Sequence, residues 1–179
     1  MKTSENDILS ALKADPDRGF RMLMDKYKEP VYWHIRRLVT AHADAQDATQ
    51  EAFVRVFRSL DKFRGDSSLT SWVYRIATNE ALRQLSNRNG RHIGLDTEEP
   101  AVKAIAADGY VDYADLEAVK LQKAILSLPT KQQLAFNLRY YDELAYDDIA
   151  KITGSTAAAA KANYHVAKEK IVEYMNSND

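Results

Sequence analysis

Residues 44–91 read "DAQDATQEAFVRVFRSLDKFRGDSSLTSWVYRIATNEALRQLSNRNGR", and this stretch decides the fold. Phe53, Val56, Phe57 and Leu60 recur at helical spacing, so 44–60 predicts an amphipathic helix with a charged outer side. "DKFRGDSS" interrupts it with Gly65 and small cappers. Ser68 is a natural N-cap for a second helix reaching about Arg88, with Leu69, Trp72, Val73 and Ile76 as its apolar stripe. Two helices joined by a short polar loop begin an all-α reading.

The flanks extend that reading. Ser4 and Asp7 open a short first helix carrying Ile8, Leu9 and Leu12. A second begins near Asp17 with Phe20, Leu23, Met24 and Tyr27, and Pro30 suits the first turn of a third, with Val31, Ile35, Leu38 and Val39. Downstream, 116–126 is helical, and Thr130 with Gln133 forms a capping-box pattern ahead of Leu134, Phe136, Leu138 and Tyr141. A short helix over 146–152 ends at Gly154, and Thr156 opens the last helix. Between Arg91 and Asp115 two turn signals, a proline and weak periodicity mark a linker, with a short helical piece expected around 102–107. The expected architecture is two small helical domains, 1–91 and 115–179, joined by an acidic linker over 92–114. The second domain is small enough to need docking or a partner for stability.

Composition sets the outer limits. Apolar residues make up 45% and charged residues 28% of 179, with six glycines and four prolines, which fits a globular helical protein. Without cysteine, disulfides and cysteine zinc sites are excluded. No apolar run reaches the roughly 20 residues needed to cross a bilayer, and the N-terminus lacks a secretory core, so a cytoplasmic location is expected. The net charge of −1 hides a strong asymmetry. From Arg55 to Arg91 eight basic residues stand against three acids, a net of +5; from His92 to Val119 seven acids stand against one lysine, a net of −6.

The last helix belongs to a helix-turn-helix, with a tight turn at Gly154–Ser155. Ala160, Tyr164, Ala167 and Ile171 share a core-facing stripe, and Lys161, His165 and Lys168 lie opposite. Alanines over 157–160 let the backbone approach phosphates, where free N–H groups attract anions. On spacing alone, an ordinary αα-hairpin remains equally open. Arg75, Asn79 and Arg83 fall at i, i+4 and i+8, hence on one exposed face beside the basic loop 62–67. That combination suits a single nucleic-acid strand whose phosphates are neutralised while a base is extruded. Trp72 is expected in the core; Tyr74 fits either side. Phosphate loops, metal-ligand spacings and nucleophile elbows are lacking, most of the "DELAYDD" carboxylates are read as an exposed helix start, and neither catalysis nor a cofactor is expected.

Two patterns then carry a family resemblance. One is D-A-x-D-x-x-Q-E-x-F at Asp44, Ala45, Asp47, Gln50, Glu51 and Phe53. The other is W-x-Y-R-I-A-x-N at Trp72, Tyr74, Arg75, Ile76, Ala77 and Asn79. With Leu128–Pro129, Phe136, Leu138–Tyr140, Ile149–Ala150, Gly154, Lys161 and Lys168–Lys170 following in order, the chain resembles the extracytoplasmic-function sigma factors of bacterial RNA polymerase. The resemblance implies a transcription initiation factor that binds core polymerase through its β′ and β subunits and recognises promoter DNA. Asp47, Gln50, Glu51 and Arg55 would then dock on β′. Lys62, Arg64, Ser67, Arg75, Asn79 and Arg83 would recognise and help open the minus-ten element. Ser155, Thr156, Lys161, His165 and Lys168 would read the minus-thirty-five element. An anti-sigma partner is implied as well. The acidic linker admits two readings, a strand threading the polymerase RNA channel or a solubilising tether. A stand-alone helix-turn-helix regulator of duplex DNA is the rival. Here the last helix departs from the family, with alanines at 157–160 and Asn163 and Val166 where arginines are common, which predicts a weaker phosphate contribution.

Overall fold

The computed structural model describes residues 3–102, 105–106 and 108–177, and among them the ordered elements are helices. They run α1 (Glu5–Ala14), α2 (Pro16–Val39), α3 (His42–Arg58), a 3-10 turn (Leu60–Lys62), α4 (Leu69–Asn89), α5 (Leu116–Leu126), α6 (Thr130–Tyr140), α7 (Tyr146–Thr153) and α8 (Ala157–Asn176). Ser4 and Asp7 form a full capping box on α1. Asp15 caps α2, whose first residue is Pro16. Gly19 lets α1 and α2 touch, since a Cβ there would lie 2.5 Å from the Leu12 backbone nitrogen.

Pro30 does not start a new helix: α2 runs through it for 24 residues. Leu23, Tyr27, Val31, Ile35 and Leu38 form one buried stripe along α2, while Pro30 sits on the exposed side. Each such side chain, when fully buried, stabilises by roughly 1.5–3 kcal/mol, so the stripe outweighs the one hydrogen bond that proline removes. The expected capping box at Thr130 is not formed. Pro129 is the N-cap without a side-chain bond, and the Thr130 amide donates to the Thr97 carbonyl of the linker at 3.0 Å. Phe57 also departs from its expected stripe: it is half-exposed and packs edge-on against Phe20, because α3 turns its Ala45/Ala48/Ala52/Phe53/Val56 side inward.

The main core crosses from one half of the chain to the other. Ile8, Leu23, Ile35, Val56, Val73 and Leu85 share it with Leu134, Leu138, Ile149, Ile152 and Ala160. A smaller cluster of Ala124, Ile125, Leu128, Phe136, Ala167 and Ile171 holds α5, α6 and α8 together. Helix α4 lies at the junction, packed on α2, α3 and α7. Polar groups lock this junction. The Tyr74 hydroxyl donates to Asp142 Oδ1 at 2.9 Å, Arg37 lies 3.9 Å from the other oxygen, and the Ser68 and Ser71 hydroxyls donate to Asp148 Oδ1 at 3.0 and 2.6 Å. The "DELAYDD" acids are therefore not simply an exposed helix start, since Asp142 and Asp148 turn toward α4. Desolvation pushes the Asp142 carboxyl above the usual aspartate range, although Tyr74 and Arg37 oppose it.

The linker is anchored as well. Ile93 and Ala101 are buried, and Ser86 exchanges hydrogen bonds with the Ile93 backbone. Arg36 donates to the Asp108 carbonyl, and the Asp108 carboxylate accepts from the His42 amide at 2.9 Å, capping the otherwise uncapped start of α3. The Tyr110 hydroxyl reaches Gln122 at 2.7 Å. The helical piece expected around 102–107 is not seen at Val102, Ile105 and Ala106; Lys103, Ala104 and Ala107 lie outside the described residues.

His34 is fully buried, 2.8 Å from the Thr78 hydroxyl, and burial lowers its pKa to about 3. The unfolded imidazole takes up a proton below about 6.5, whereas the folded one stays neutral. Stability present above pH 6.5 is therefore lost as pH falls toward 3, at up to about 1.4 kcal/mol per pH unit. In urea titrations, His34→Gln is expected to show a fall in unfolding free energy between pH 6.5 and 5 smaller than wild type's by up to about 2 kcal/mol. Equal falls in both proteins would show that His34 is not buried neutral.

Candidate polymerase and nucleic-acid interfaces

Helix α4 is covered on most of its circumference, with Leu69, Ser71, Val73, Tyr74, Ala77, Thr78, Ala81, Leu82 and Leu85 all buried. Arg75, Asn79 and Arg83 remain exposed, one helical turn apart in succession. Trp72 and Ile76 flank this strip half-buried, so they are not the fully inward stripe the spacing predicted; Trp72 packs on Phe63 with ring centroids 5.2 Å apart. Tyr74, which fitted either side, is core at 4% exposure. The loop before α4 presents Lys62 and Arg64 to solvent with Ser67 half-buried, and Gly65 takes a left-handed turn at φ 81°. The Ser68 hydroxyl caps α4 through the Ser71 amide at 3.0 Å. A loop bearing Lys62 and Arg64 thus leads into α4, whose exposed side carries Arg75, Asn79 and Arg83.

On α3, Asp47, Gln50 and Glu51 are exposed along one side, opposite Ala45, Ala48, Ala52 and Val56. Arg55 differs from them. Its Nε is ion-paired with the carboxylate of Glu80 on α4, and it also lies 3.8 Å from Glu51. Glu80 is only 4% exposed and also faces Arg83 Nη1 at 3.7 Å. Sequence reasoning counted Glu80 merely as an acid within a basic segment. No pattern on α4 marks it as buried, because its burial depends on Arg55 of another helix.

The helix-turn-helix forms as its residues foretell. Gly154 takes the left-handed conformation at φ 65°, the Ser155 amide donates to the Ala150 carbonyl at 2.9 Å, and the Thr156 hydroxyl caps α8 through the Ala159 amide at 3.1 Å. Ala160, Ala167 and Ile171 are buried and Tyr164 is half-buried, while Thr156, Lys161, His165 and Lys168 are exposed and Ser155 is half-exposed. Behind α8 lies an aromatic stack that spacing did not reveal. Phe136 stacks on Tyr140 and Tyr164 at 5.1 and 5.9 Å, and Arg139 lies over Tyr146 at 4.5 Å. It holds α8 against α6. The exposed sides of α3 and α4 adjoin, since Glu51 and Arg55 line one cleft with Asn79 and Arg83. Among the described residues no group of three or more potential metal ligands converges, and no helix is long and apolar enough to cross a membrane.

Known proteins share this two-part organisation. The model for sigma-70 region 2 matches residues 23–91, and that for sigma-70 region 4 matches residues 118–171. The RNA polymerase sigma-H factor of Pseudomonas aeruginosa is 30% identical over 96% of this chain and 94% of its own length. The ECF RNA polymerase sigma factor SigW of Bacillus subtilis is 29% identical over 92% of each. In fold, the chain is similar to CnrH in its complex with the cytosolic domain of CnrY, at TM-score 0.74 and 17% identity over 98% of this chain and 99% of that one. It is likewise similar to the sigma factor RpoE in complex with the anti-sigma factor NepR from Bartonella quintana, at TM-score 0.63 and 22% identity over 89% and 98%. With both regions present in order across an all-helical chain, this protein belongs to the extracytoplasmic-function subfamily of the sigma-70 factors, which direct RNA polymerase to promoters.

Proposed function

We propose that this sigma factor divides promoter recognition among three sets of exposed residues. In this reading residues 1–91 bind core polymerase and the minus-ten element, 92–114 connect, and 115–179 bind the minus-thirty-five element. Asp47, Gln50 and Glu51 dock on the β′ subunit. Arg75, Asn79 and Arg83, with Lys62, Arg64 and Ser67, hold the opened minus-ten strand. Ser155, Thr156, Lys161, His165 and Lys168 anchor the upstream duplex. The observation that carries the division is the burial of most of α4, which leaves Arg75, Asn79 and Arg83 exposed on one side. A self-sufficient helix-turn-helix regulator is not favoured, since the chain carries both sigma regions along with the helix-turn-helix. The protein acts as a specificity subunit without catalysis of its own. An anti-sigma partner belongs to this proposal, by analogy with the complex of RpoE with NepR. So does a cytoplasmic location, where core polymerase is found.

The closed packing bears on how such a factor works. Region 4 rests on α4 through Asp142 and Asp148 while the Arg75 strip stays exposed, so strand binding does not require that interface to open. On the last helix few cations face DNA, which keeps the electrostatic share of duplex binding small.

The decisive measurement adds the protein to core polymerase on a promoter library and maps transcript starts; random initiation would overturn the reading. On a promoter so recovered, Arg75→Ala with Asn79→Ala is expected to reduce open-complex formation at least tenfold, about 1.4 kcal/mol, while core affinity survives. Gln50→Ala with Glu51→Lys is expected to do the converse. Lys161→Ala with Lys168→Ala is expected to flatten the salt dependence of promoter binding by on the order of one unit of log–log slope for each lysine that neutralises a phosphate. An unchanged slope would remove both lysines from the duplex interface.

A further inference from the structure

Between the C-terminal half of α3 and the exposed strip of α4 lies a cleft of about 310 Å³ lined by Glu51, Arg55, Arg58, Ser59, Asn79 and Arg83, with the buried Glu80 beneath. A carboxylate this deep is costly unless cations and hydrogen bonds compensate it. Here two guanidiniums do so, Arg55 from α3 through Nε and Arg83 from α4 through Nη1. A guanidinium carries five donors in a rigid fork, so an ion pair through one nitrogen leaves further donors for a second acceptor. Their side chains remain 42% and 52% exposed, at the mouth of the cleft. Arg58 adds a third cation, and the Asn79 amide and Ser59 hydroxyl add uncharged donors. Glu51 stands at the rim and carries the one exposed negative charge of the lining, on the side toward the proposed polymerase face.

We infer that this cleft is a phosphodiester site for the unpaired minus-ten strand, in which Arg55 and Arg58 bind phosphate and Glu80 is a positioning residue that orients Arg55 and Arg83. The assignment rests on the proposed strand-binding role of α4 and extends it across to α3. It moves Arg55 from the polymerase face to the DNA face. The lining favours phosphate over an acidic segment of polymerase because Arg83 and Asn79 belong both to the cleft and to the α4 strip. A strand lying along Arg75, Asn79 and Arg83 therefore reaches Arg55 and Arg58 without a break. The bidentate donor geometry of guanidinium matches phosphate oxygens.

The test uses holoenzyme and a forked template whose single-stranded non-template segment carries one neutral methylphosphonate linkage at a time. For the wild-type factor, neutralising one or two adjacent linkages is expected to weaken binding three- to tenfold. Arg55→Gln with Arg58→Gln should weaken binding to the unmodified fork by a similar factor, abolish sensitivity to those same linkages, and leave core affinity unchanged. Glu80→Gln, which keeps shape but not charge, should reduce the sensitivity at the same linkages; if it unfolds the protein, the arginine pair alone decides. Uniform tolerance of all linkages by wild type would overturn the assignment. Retained sensitivity in the arginine variant, or a drop in its core affinity, which would return Arg55 to the polymerase face, would do the same. Arg75→Ala with Asn79→Ala runs alongside. If that variant also leaves fork binding intact, the strand-binding reading of α4 fails; if it weakens the fork while Arg55 and Arg58 do not matter, the cleft assignment alone fails.

Discussion

The structure depends on burying α4 from two directions. Its sequence is weakly amphipathic, with apolar and small residues on nearly every side, and such a helix is stable only when covered by several neighbours. Helices α2 and α3 supply one cover and α7 the other. Tyr74 shows the geometry in one residue: its ring packs beside His34 of α2, while its hydroxyl reaches Asp142 before α7. A phenol suits this junction because it is apolar along its body and polar at its tip.

From that constraint follows the unequal division of the core. A helix-turn-helix of some 60 residues buries too little apolar surface to be secure by itself. Its private cluster buries Ile125, Leu128, Phe136 and Ile171, whereas Leu134, Leu138, Ile149 and Ile152 belong to the shared core. The linker reinforces the arrangement rather than merely spanning it, since Asp108 caps α3 and Thr97 receives the first amide of α6. What the shared core leaves uncovered is correspondingly informative. Exposed polar residues on α3 and α4 belong to helices whose opposite sides are buried in the core, so they are held on rigid supports. Rigid presentation lowers the entropy lost on binding a partner or a strand.

The buried titratable side chains show how the same scaffold sets chemistry. His34 stays neutral because nothing in its surroundings compensates an imidazolium, and Arg37 nearby opposes one. Glu80 has the opposite surroundings, with two arginines converging on it from different helices. Both are buried polar groups. One is kept uncharged as a packing element, while the other sits within an ion-pair network that opens to solvent.

Local pattern determined much of this protein. Periodicity and cappers located α1, α5, α7, α8 and the break before α4, because Ser4, Ser68, Gly154 and Thr156 act through bonds only a few residues long. The i, i+4, i+8 spacing was enough to put Arg75, Asn79 and Arg83 on one face, and the order of the motifs was enough for the family. Only tertiary structure decided that α2 continues through Pro30, that Phe57 turns outward, that Asp142 and Asp148 turn in, and that Arg55 pairs with Glu80. Each of these outcomes is set by a partner distant in the chain. A helix reports its own faces through its spacing, but not which neighbour will cover them or what charge that neighbour brings.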